Sequence, residues 1–239
     1  MADRRDFLKA SLLGASALAL TGKAGAGTPL PAKGATGARV ISTWDFGVAA
    51  NQAAWAVLSK GGHALDAVEA GVMIPEADLK NHSVGRAGYP DRDGHVTLDA
   101  SIMDADGSCG AVAALEHIAH PIQVARRVME RTPHVLLVGD GALQFALEQG
   151  FKKEDLLTPE SEQAWKEWLK HAQYKPSANS EVRDYGKTGL PGASKDLQVG
   201  FLAMNRHGEV GAFAIQPGFS YAVCDAKRQD GLLPSKSVY

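Results

Sequence analysis

The sequence predicts a globular fold in which both helices and strands contribute to the core. Its 239 residues are 45% hydrophobic and 22% charged, which is near the average for globular proteins and allows a sizeable core. Stretches with helical spacing of apolar residues alternate with short β-branched stretches. The formal net charge of −2 gives no basic field that favours nucleic acid. Two cysteines are too few for a disulfide framework or a four-thiolate zinc site. In an oxidising compartment Cys109 and Cys224 could pair, but we expect two separately buried thiols.

The first 26 residues look like an export signal. Arg4 and Arg5 precede Phe-Leu-Lys, an apolar run over 10–20 and the small-residue pattern Ala24-Gly-Ala26, as in a twin-arginine leader. The run is shorter than the ~20 residues that span a bilayer, so we expect no membrane anchor. An amphipathic first helix is the alternative, but the run lacks a polar face. The prediction is a periplasmic or otherwise exported protein with a flexible lead-in over residues 27–38.

The next part of the chain predicts, in order, a strand, two helices, a loop and a β-hairpin. Residues 39–44 are β-branched or aromatic, which favours a buried strand. Apolar residues recur at helical spacing over 48–60, before two glycines, and over 65–75, where we expect Pro75 to end the helix. Residues 83–94 are rich in turn formers, and an alternating segment at 96–104 returns as 111–115 through an Asp-Gly turn.

The rest of the chain predicts three helices and four strands. Pro121 is placed to begin a helix that runs through Arg131, because a missing N–H costs nothing at the first helical position. The other expected elements are helices at 142–149 and 161–171 (with Trp165, Trp168 and Leu169 on one side) and strands at 134–139, 198–205, 209–215 and 219–224. Residues 175–196 are polar and show no periodicity, and a structureless stretch of that length is uncommon inside a compact domain.

Three polar clusters have the spacing of binding sites but are better explained as ordinary turns and junctions. His117 and His120 beside Glu116 suggest a metal site, yet the sequence places no third ligand with them. The segment 139–141 (GDG) matches no phosphate-loop motif. The segment 91–94 (DRDG) begins like a calcium loop but lacks the downstream glutamate.

Trp44, Asp45 and Phe46, at the predicted end of the first strand, allow two interpretations. Two aromatic side chains at a strand exit can line a pocket, and the acid between them can orient a polar ligand. The other interpretation is a core tryptophan followed by a helix N-cap at Asp45.

Several segments, in the same order along the chain, resemble the glycosylasparaginase (aspartylglucosaminidase) family of N-terminal nucleophile hydrolases. The similarity runs from about residue 39 to 174, like the family's α-chain, and resumes over about 195–225, like the end of its β-chain. The segments are ISTWDFG (41–47), LSKGGHALDAVE (58–69), PDRDGHVTLDASIMD (90–104), TPHVLLVGDGA (132–142) and KDLQVGFLA (195–203).

The resemblance implies an α+β fold, an αββα four-layer sandwich, and amide hydrolysis without a metal or an organic cofactor. In the family, a precursor cuts itself at an Asp–Thr bond. The new N-terminal threonine then releases aspartate from N4-(β-N-acetylglucosaminyl)-L-asparagine, with its own α-amine as the base. Trp44, with its neighbours Asp45 and Phe46, is expected in the wall of the substrate pocket.

The sequence departs from the family at the nucleophile. None of the eight threonines follows an aspartate, and no serine or cysteine does. Thr188 lies in the right region but follows Lys187, as in an ordinary turn, and Thr28 lies in the lead-in before Pro29. We therefore expect an internal deletion at a junction loop, residues 175–194, between an α-chain-like part (39–174) and C-terminal strands (195–239).

Such a deletion predicts an incomplete sandwich and a chain that is inactive as it stands. The missing piece would remove central β-chain strands, leaving open strand edges and an apolar face. The chain would then be marginally stable, or another copy or partner would cover the exposed sheet. The alternative function is a non-catalytic binding or interaction module derived from the hydrolase.

Overall fold

The computed structural model describes residues 37–172 and 198–239, which form five helices and three small sheets. The helices are α1 (Gly47–Leu58), α2 (Ala64–Ala77), α3 (Pro121–Arg131), α4 (Gly139–Glu148) and α5 (Pro159–His171). The strands are β1 (Arg39–Thr43), β2 (Leu98–Met103), β3 (Cys109–Leu115), β4 (Leu136–Val138), β5 (Gly200–Met204), β6 (Val210–Ala214), β7 (Ser220–Asp225), β8 (Gly231–Pro234) and β9 (Lys236–Ser237). The expectation of a mixed α+β fold is confirmed.

The first sheet joins the two described parts of the chain. Its order is β1-β7-β8, and both pairings are antiparallel. The register of β1 on β7 runs from Arg39 opposite Asp225 to Thr43 opposite Tyr221. An ion pair of 2.7 Å between Arg39 and Asp225 closes one end of this ladder. The pKa of the Asp225 carboxyl is lowered, because the carboxylate accepts hydrogen bonds from the backbone N–H groups of residues 227 and 228 and from Arg39.

Each of the other two sheets consists of two antiparallel strands and a third strand that pairs parallel to one of them. In β2-β3-β4, the predicted hairpin pairs antiparallel and β4 pairs parallel to β3. In β5-β6-β9, β5 and β6 pair antiparallel and β9 runs parallel to β6. Within the described residues, β1 and β2 are therefore both edge strands.

The main core lies where α3 packs on β3. Val124, Ala125 and Val128 on one face of α3 are fully buried, with Val112 and Leu115 of β3. Gly110 allows the close approach, since a Cβ there would lie 2.2 Å from the carbonyl oxygen of Ala125.

Arg126 ties α3 to α2 on the outer side of this core. Its guanidinium contacts Asp66 and Glu69 of α2, at 2.7 and 2.6 Å, and Glu130 on its own helix at 2.7 Å. Burial of the guanidinium lowers the pKa of Arg126. The hydrogen bonds to three carboxylates raise this pKa by more, so that the net shift is upward.

Several local predictions are wrong in detail. Helix α2 does not end at Pro75, which lies in its last turn. A proline removes a hydrogen bond to the preceding turn and clashes with it, but it leaves the helical conformation of the residues that follow possible. Strand β1 stops before Trp44, whose φ of 62° is left-handed. Helix α5 begins at Pro159, two residues before the predicted start, and Trp168 and Leu169 on its apolar side are 51% and 41% exposed.

Other predictions are confirmed or lie outside the described residues. Helix α3 has the predicted bounds, and residues 83–94 contain no helix or strand. Cys109 and Cys224 are not bonded to each other; Cys224 is buried, as expected, whereas Cys109 is only partly buried. The export signal, most of the lead-in, the junction loop and Thr188 lie outside the described residues. In the described ranges, no helix is long and apolar enough to cross a membrane.

Candidate active-site cleft

Trp44 marks the point where the chain leaves β1. Its backbone N–H donates to the carbonyl oxygen of Ser220 at 2.8 Å, which extends the β1–β7 ladder by one residue. The indole packs edge-on against Phe219, with ring centroids 5.1 Å apart and planes at 89°. A left-handed backbone at a bulky residue costs about 1–3 kcal/mol, and such strain concentrates at functional positions.

Asp45 and Phe46 complete the turn into α1. The Asp45 carboxylate accepts a hydrogen bond of 2.9 Å from the backbone N–H of Phe46, and its carbonyl oxygen accepts one of 3.0 Å from Val48. The interpretation as a core tryptophan with an N-cap at Asp45 is wrong: Trp44 is 38% exposed, and Phe46 occupies the N-cap without a side-chain cap. The aromatic residue that reaches the neighbouring cleft is Phe46, whereas Trp44 and Asp45 do not line it.

A cleft of about 560 Å³ lies beside this turn, between β1, α1, α2 and the start of β2. We call it the central groove. Its walls and floor are mostly apolar, with polar groups from Ser42, Thr43, Glu76, Thr97 and Asp99.

Glu76 is the buried acid of the central groove. Its side chain is 3% exposed, and Oε2 lies 3.0 Å from Nδ1 of His120, while Oε1 accepts a hydrogen bond of 3.2 Å from the backbone N–H of Ile122. Burial raises the pKa of Glu76, and the two hydrogen bonds only partly offset this effect. The carboxylate therefore caps the first turn of α3, where His120 supplies no side-chain cap.

A tight loop is packed against Glu76 from the other side. Gly85 has a φ of 62°, and a Cβ there would lie 2.0 Å from the carbonyl oxygen of Glu76. That oxygen accepts a hydrogen bond from the N–H of Arg86 at 2.8 Å, and Arg86 pairs with Glu154 through two guanidinium nitrogens. The predicted loop is thus fixed in place by both helix α2 and the segment before α5.

The other polar residues of the cleft have structural partners. Asp99 accepts a hydrogen bond of 2.8 Å from the N–H of Ala114, whose φ of 49° marks an irregularity in the β2–β3 pairing. Ser42 donates to Asn51 Oδ1 at 2.6 Å, and the buried Nδ2 of Asn51 has no partner among the described residues.

The clusters with metal-like spacing do not converge. His120 faces Glu76, whereas His117 lies 3.8 Å from Glu116. Asp91 accepts the backbone N–H groups of Asp93 and His95, which makes the 91–94 segment a turn. In the described part of the chain, no group of three or more His, Cys, Asp or Glu residues is arranged to hold a metal ion.

The sequence reasoning missed Glu76, Asp99, Thr43 and Thr97 as cleft residues. A signal existed for Glu76, which continues the helical spacing of Leu65 and Val72 and so falls on the buried side of α2. The sequence carried no such signal for Thr43 and Thr97, because their place in the cleft depends on how β1 and β2 pack in three dimensions.

Comparison with known proteins places the chain among amide hydrolases. A family model described as asparaginase matches residues 16–219. The N(4)-(beta-N-acetylglucosaminyl)-L-asparaginase of Elizabethkingia miricola is 41% identical over 323 aligned positions, covering 94% of this chain and 93% of the relative.

Two animal relatives match a shorter region. The mouse protein of the same name is 48% identical over 131 residues, or 54% of this chain, and a putative Drosophila melanogaster member is 46% identical over 158, or 63%. The matched regions span 38% and 40% of these two relatives.

Proposed function

The chain belongs to the asparaginase family, and on that basis we propose that it is an exported glycosylasparaginase-type protein that lacks the nucleophile of its family. The family reaction would be hydrolysis of N4-(β-N-acetylglucosaminyl)-L-asparagine to release aspartate, the chemistry that the names of its relatives state. We further propose that this chain does not perform that reaction alone.

The observation that carries the proposal is the length of the bacterial match. The 323 aligned positions exceed the 239 residues of this chain by 84, so at least 84 positions of the alignment have no counterpart here. The segments that resemble the family end at about Tyr174 and resume at about residue 195, and the expected Asp–Thr pair is not found anywhere in the chain. Both facts support an internal deletion that includes the nucleophile.

The threonines of the central groove do not replace the missing group. Thr43 and Thr97 line it, but both are internal residues of the chain. A threonine hydroxyl is a weak nucleophile that needs an adjacent base, which an N-terminal threonine supplies through its α-amine. An internal threonine has an amide nitrogen instead, so neither residue provides the nucleophile–base pair.

The proposal also accounts for the separation of two of the small sheets. We interpret the β1-β7-β8 and β2-β3-β4 sheets as parts of a central layer of an αββα sandwich whose connecting strands belong to the deleted block. The edge positions of β1 and β2 support this interpretation. Phe46 would be the remaining aromatic wall of the substrate pocket, and its neighbours Trp44 and Asp45 would hold the turn that positions it.

Amide hydrolysis and self-cleavage provide the test. The purified chain, with the bacterial relative as the positive control, is incubated with N4-(β-N-acetylglucosaminyl)-L-asparagine, and released aspartate is measured while denaturing electrophoresis follows cleavage. We expect one band and no aspartate. Two fragments split after Tyr174, together with aspartate release, would refute the loss of the nucleophile. Resequencing codons 174–196 checks that the block is absent from the gene.

A non-catalytic binding module is the second candidate, favoured by the open, mostly apolar central groove with Phe46 in its lining. Titration calorimetry with the glycosylated asparagine measures such binding directly. We expect Phe46→Ala to abolish it, while Trp168→Ala, on the exposed side of α5, leaves it unchanged. Equal binding by both variants would remove the pocket role of Phe46.

A further inference from the structure

A second cleft, of about 520 Å³, opens between the loop that precedes β2 and the exposed side of α5. We call it the aromatic cleft. Residues 89–92 form one wall, and Ala164, Trp165 and Trp168 form the other. None of these residues lines the central groove. The two tryptophans are three positions apart and so lie on the same side of the helix. The exposed apolar side of α5 is therefore one wall of a cavity.

Two rings of the aromatic cleft are held in place by their surroundings. The ring of Tyr89 stacks on that of His82, with centroids 4.7 Å apart and planes at 18°. The indole N–H of Trp165 donates to the carbonyl oxygen of Arg92 at 3.2 Å. Gly94 makes room for this indole, since a Cβ there would lie 2.9 Å from its Cη2 atom. The cleft therefore presents ordered rings, which lowers the entropy cost of binding a ligand.

Two hydrogen-bond donors of the aromatic cleft are unused. The hydroxyl of Tyr89 and the indole N–H of Trp168 have no partner among the described residues, and these two residues are 58% and 51% exposed. A ligand that matches them accepts hydrogen bonds and presents apolar surface to the rings. Prolines do both, because a proline has a carbonyl oxygen and an apolar ring but no N–H. In a polyproline II helix these carbonyl oxygens have no internal partner.

The charge of the aromatic cleft comes from Asp91. Its Oδ1 accepts the backbone N–H groups of Asp93 and His95, both at 2.9 Å, and its Oδ2 accepts no hydrogen bond from the described residues. The guanidinium of Arg92 pairs with the Asp93 carboxylate at 2.9 Å, so these two charges balance. Segment 91–93 therefore keeps one negative charge beside the rings, which favours a ligand with a basic group.

We propose that the aromatic cleft binds a proline-rich segment of a separate polypeptide, in the polyproline II conformation and with an arginine or lysine next to its prolines. The prolines pack on the aromatic rings, and backbone carbonyl oxygens of the segment accept hydrogen bonds from Tyr89 and Trp168. The basic side chain pairs with Oδ2 of Asp91. Aromatic-lined grooves bind such segments well because a polyproline II helix is formed before binding and loses little entropy.

Other classes of ligand match the aromatic cleft less well. A purely apolar molecule would cover the Asp91 carboxylate and the Tyr89 hydroxyl without giving either a partner, which is unfavourable. A single quaternary ammonium ion would stay largely solvated between rings that are half exposed, and cation–π contacts are weak under those conditions. A proline-rich segment with a basic residue satisfies the rings, the two donors and the carboxylate together.

Titration calorimetry of the full chain with designed peptides tests the proposal. The first peptide has about nine residues, three turns of polyproline II helix, and consists of prolines and leucines with one terminal arginine. The second has alanine in place of each proline. Both have blocked ends. We expect saturable one-to-one binding of the proline peptide. The alanine peptide should bind at least about tenfold more weakly, because it must be ordered on binding.

Two neighbouring residues of α5 provide a matched pair of variants that locates the peptide. Trp168→Ala removes a lining ring and should weaken binding by at least about tenfold. Leu169→Ala changes a residue that is 41% exposed and does not line the aromatic cleft, and it should have no effect. Trp168→Phe keeps a ring without the N–H donor and should give an intermediate loss. Circular dichroism verifies that the variants fold.

Asp91→Asn tests the role of the charge. Asparagine keeps an oxygen for the backbone N–H groups of Asp93 and His95 but removes the negative charge. The substitution should weaken binding of the arginine peptide by about two- to fivefold, as for an exposed ion pair. Binding of a third peptide, with glutamine in place of the arginine, should not change.

Four results would overturn the proposal. They are no saturable binding of the proline peptide, equally tight binding of the alanine peptide, equal binding by the Trp168→Ala and Leu169→Ala variants, and an Asp91→Asn effect that is the same for the arginine and glutamine peptides. Self-association of the chain that Trp168→Ala abolishes and the peptide does not displace would assign the aromatic cleft to a second copy and also overturn it. Each of these results leaves the proposed function standing, because only aspartate release tests that function.

Discussion

Replacing Glu76 by alanine is expected to lower the free energy of unfolding by about 3 kcal/mol, and replacing it by glutamine by about 1 kcal/mol, both at pH 5. Alanine removes the acceptor at 3.2 Å from the buried N–H of Ile122 and the contact at 3.0 Å with His120. A hydrogen bond to a charged group contributes about 1.5–3 kcal/mol, and a buried donor left unpaired costs about 1–3 kcal/mol. Glutamine keeps an oxygen for Ile122, which explains the smaller loss.

The pH dependence of the glutamine variant gives a second, independent expectation. Burial raises the pKa of Glu76 above its ordinary value of 4.5, against the lowering effect of His120 and the Ile122 N–H. For a carboxyl with a raised pKa in the folded state, the stabilising contribution is complete below the unfolded pKa and is lost as pH rises through the folded pKa. The stability advantage of the wild-type chain over Glu76→Gln should therefore narrow as pH rises from about 4.

Urea unfolding at several pH values measures both effects. In a separate thermal unfolding experiment, a loss of 3 kcal/mol in a chain of this length corresponds to a fall in Tm of about 6–12 °C. Glu148→Ala, a matched change at an exposed glutamate of α4, should stay within about 0.5 kcal/mol of wild type. Equal losses for the alanine and glutamine variants, or an advantage that widens with pH, would refute the role of Glu76 as the cap of α3.

Three further predictions concern packing, charge and export. Gly110→Val should lower the free energy of unfolding by about 1–3 kcal/mol in urea titrations, because its Cβ would lie 2.2 Å from a carbonyl oxygen of α3. Gly211→Ala is the control and should have little effect, because no atom lies within 4 Å of the added Cβ. Arg126→Lys should destabilise by about 1 kcal/mol, since an ammonium cannot reproduce the planar contacts to three carboxylates, and unfolding in 1 M salt should shrink the difference. Changing Arg4 and Arg5 to lysine should retain a fused reporter in the cytoplasm, as cell fractionation would reveal; unchanged export would contradict the twin-arginine prediction.

The elements that depend on local signals were predictable from the sequence. Helix α3 has the predicted bounds because Pro121 fits the first helical position and the apolar spacing continues to its end. Strands β8 and β9 were missed, since four residues ending in proline and a pair of polar residues carry no periodicity. The pairing of β1 with β7 was also not predictable, because no local pattern specifies a partner 186 residues away.

The candidate site was predictable in kind but not in geometry. The resemblance identified the turn at Trp44, yet the left-handed backbone there directs Phe46, and not the indole, toward the central groove. The burial of Glu76 was implied by its spacing on α2. Its partners on α3 depend on how two helices pack, which a single sequence does not specify.

The pairing of β1 with β7 also has a consequence for biosynthesis. Arg39 leaves the ribosome long before Asp225, its partner 186 residues later, and at about 5–20 residues per second this delay is on the order of 10–40 s. During that time β1 lacks β7, the strand with which it pairs. The β1–β7 pairing therefore forms only after translation is nearly complete, so this sheet completes its folding late in synthesis or after it.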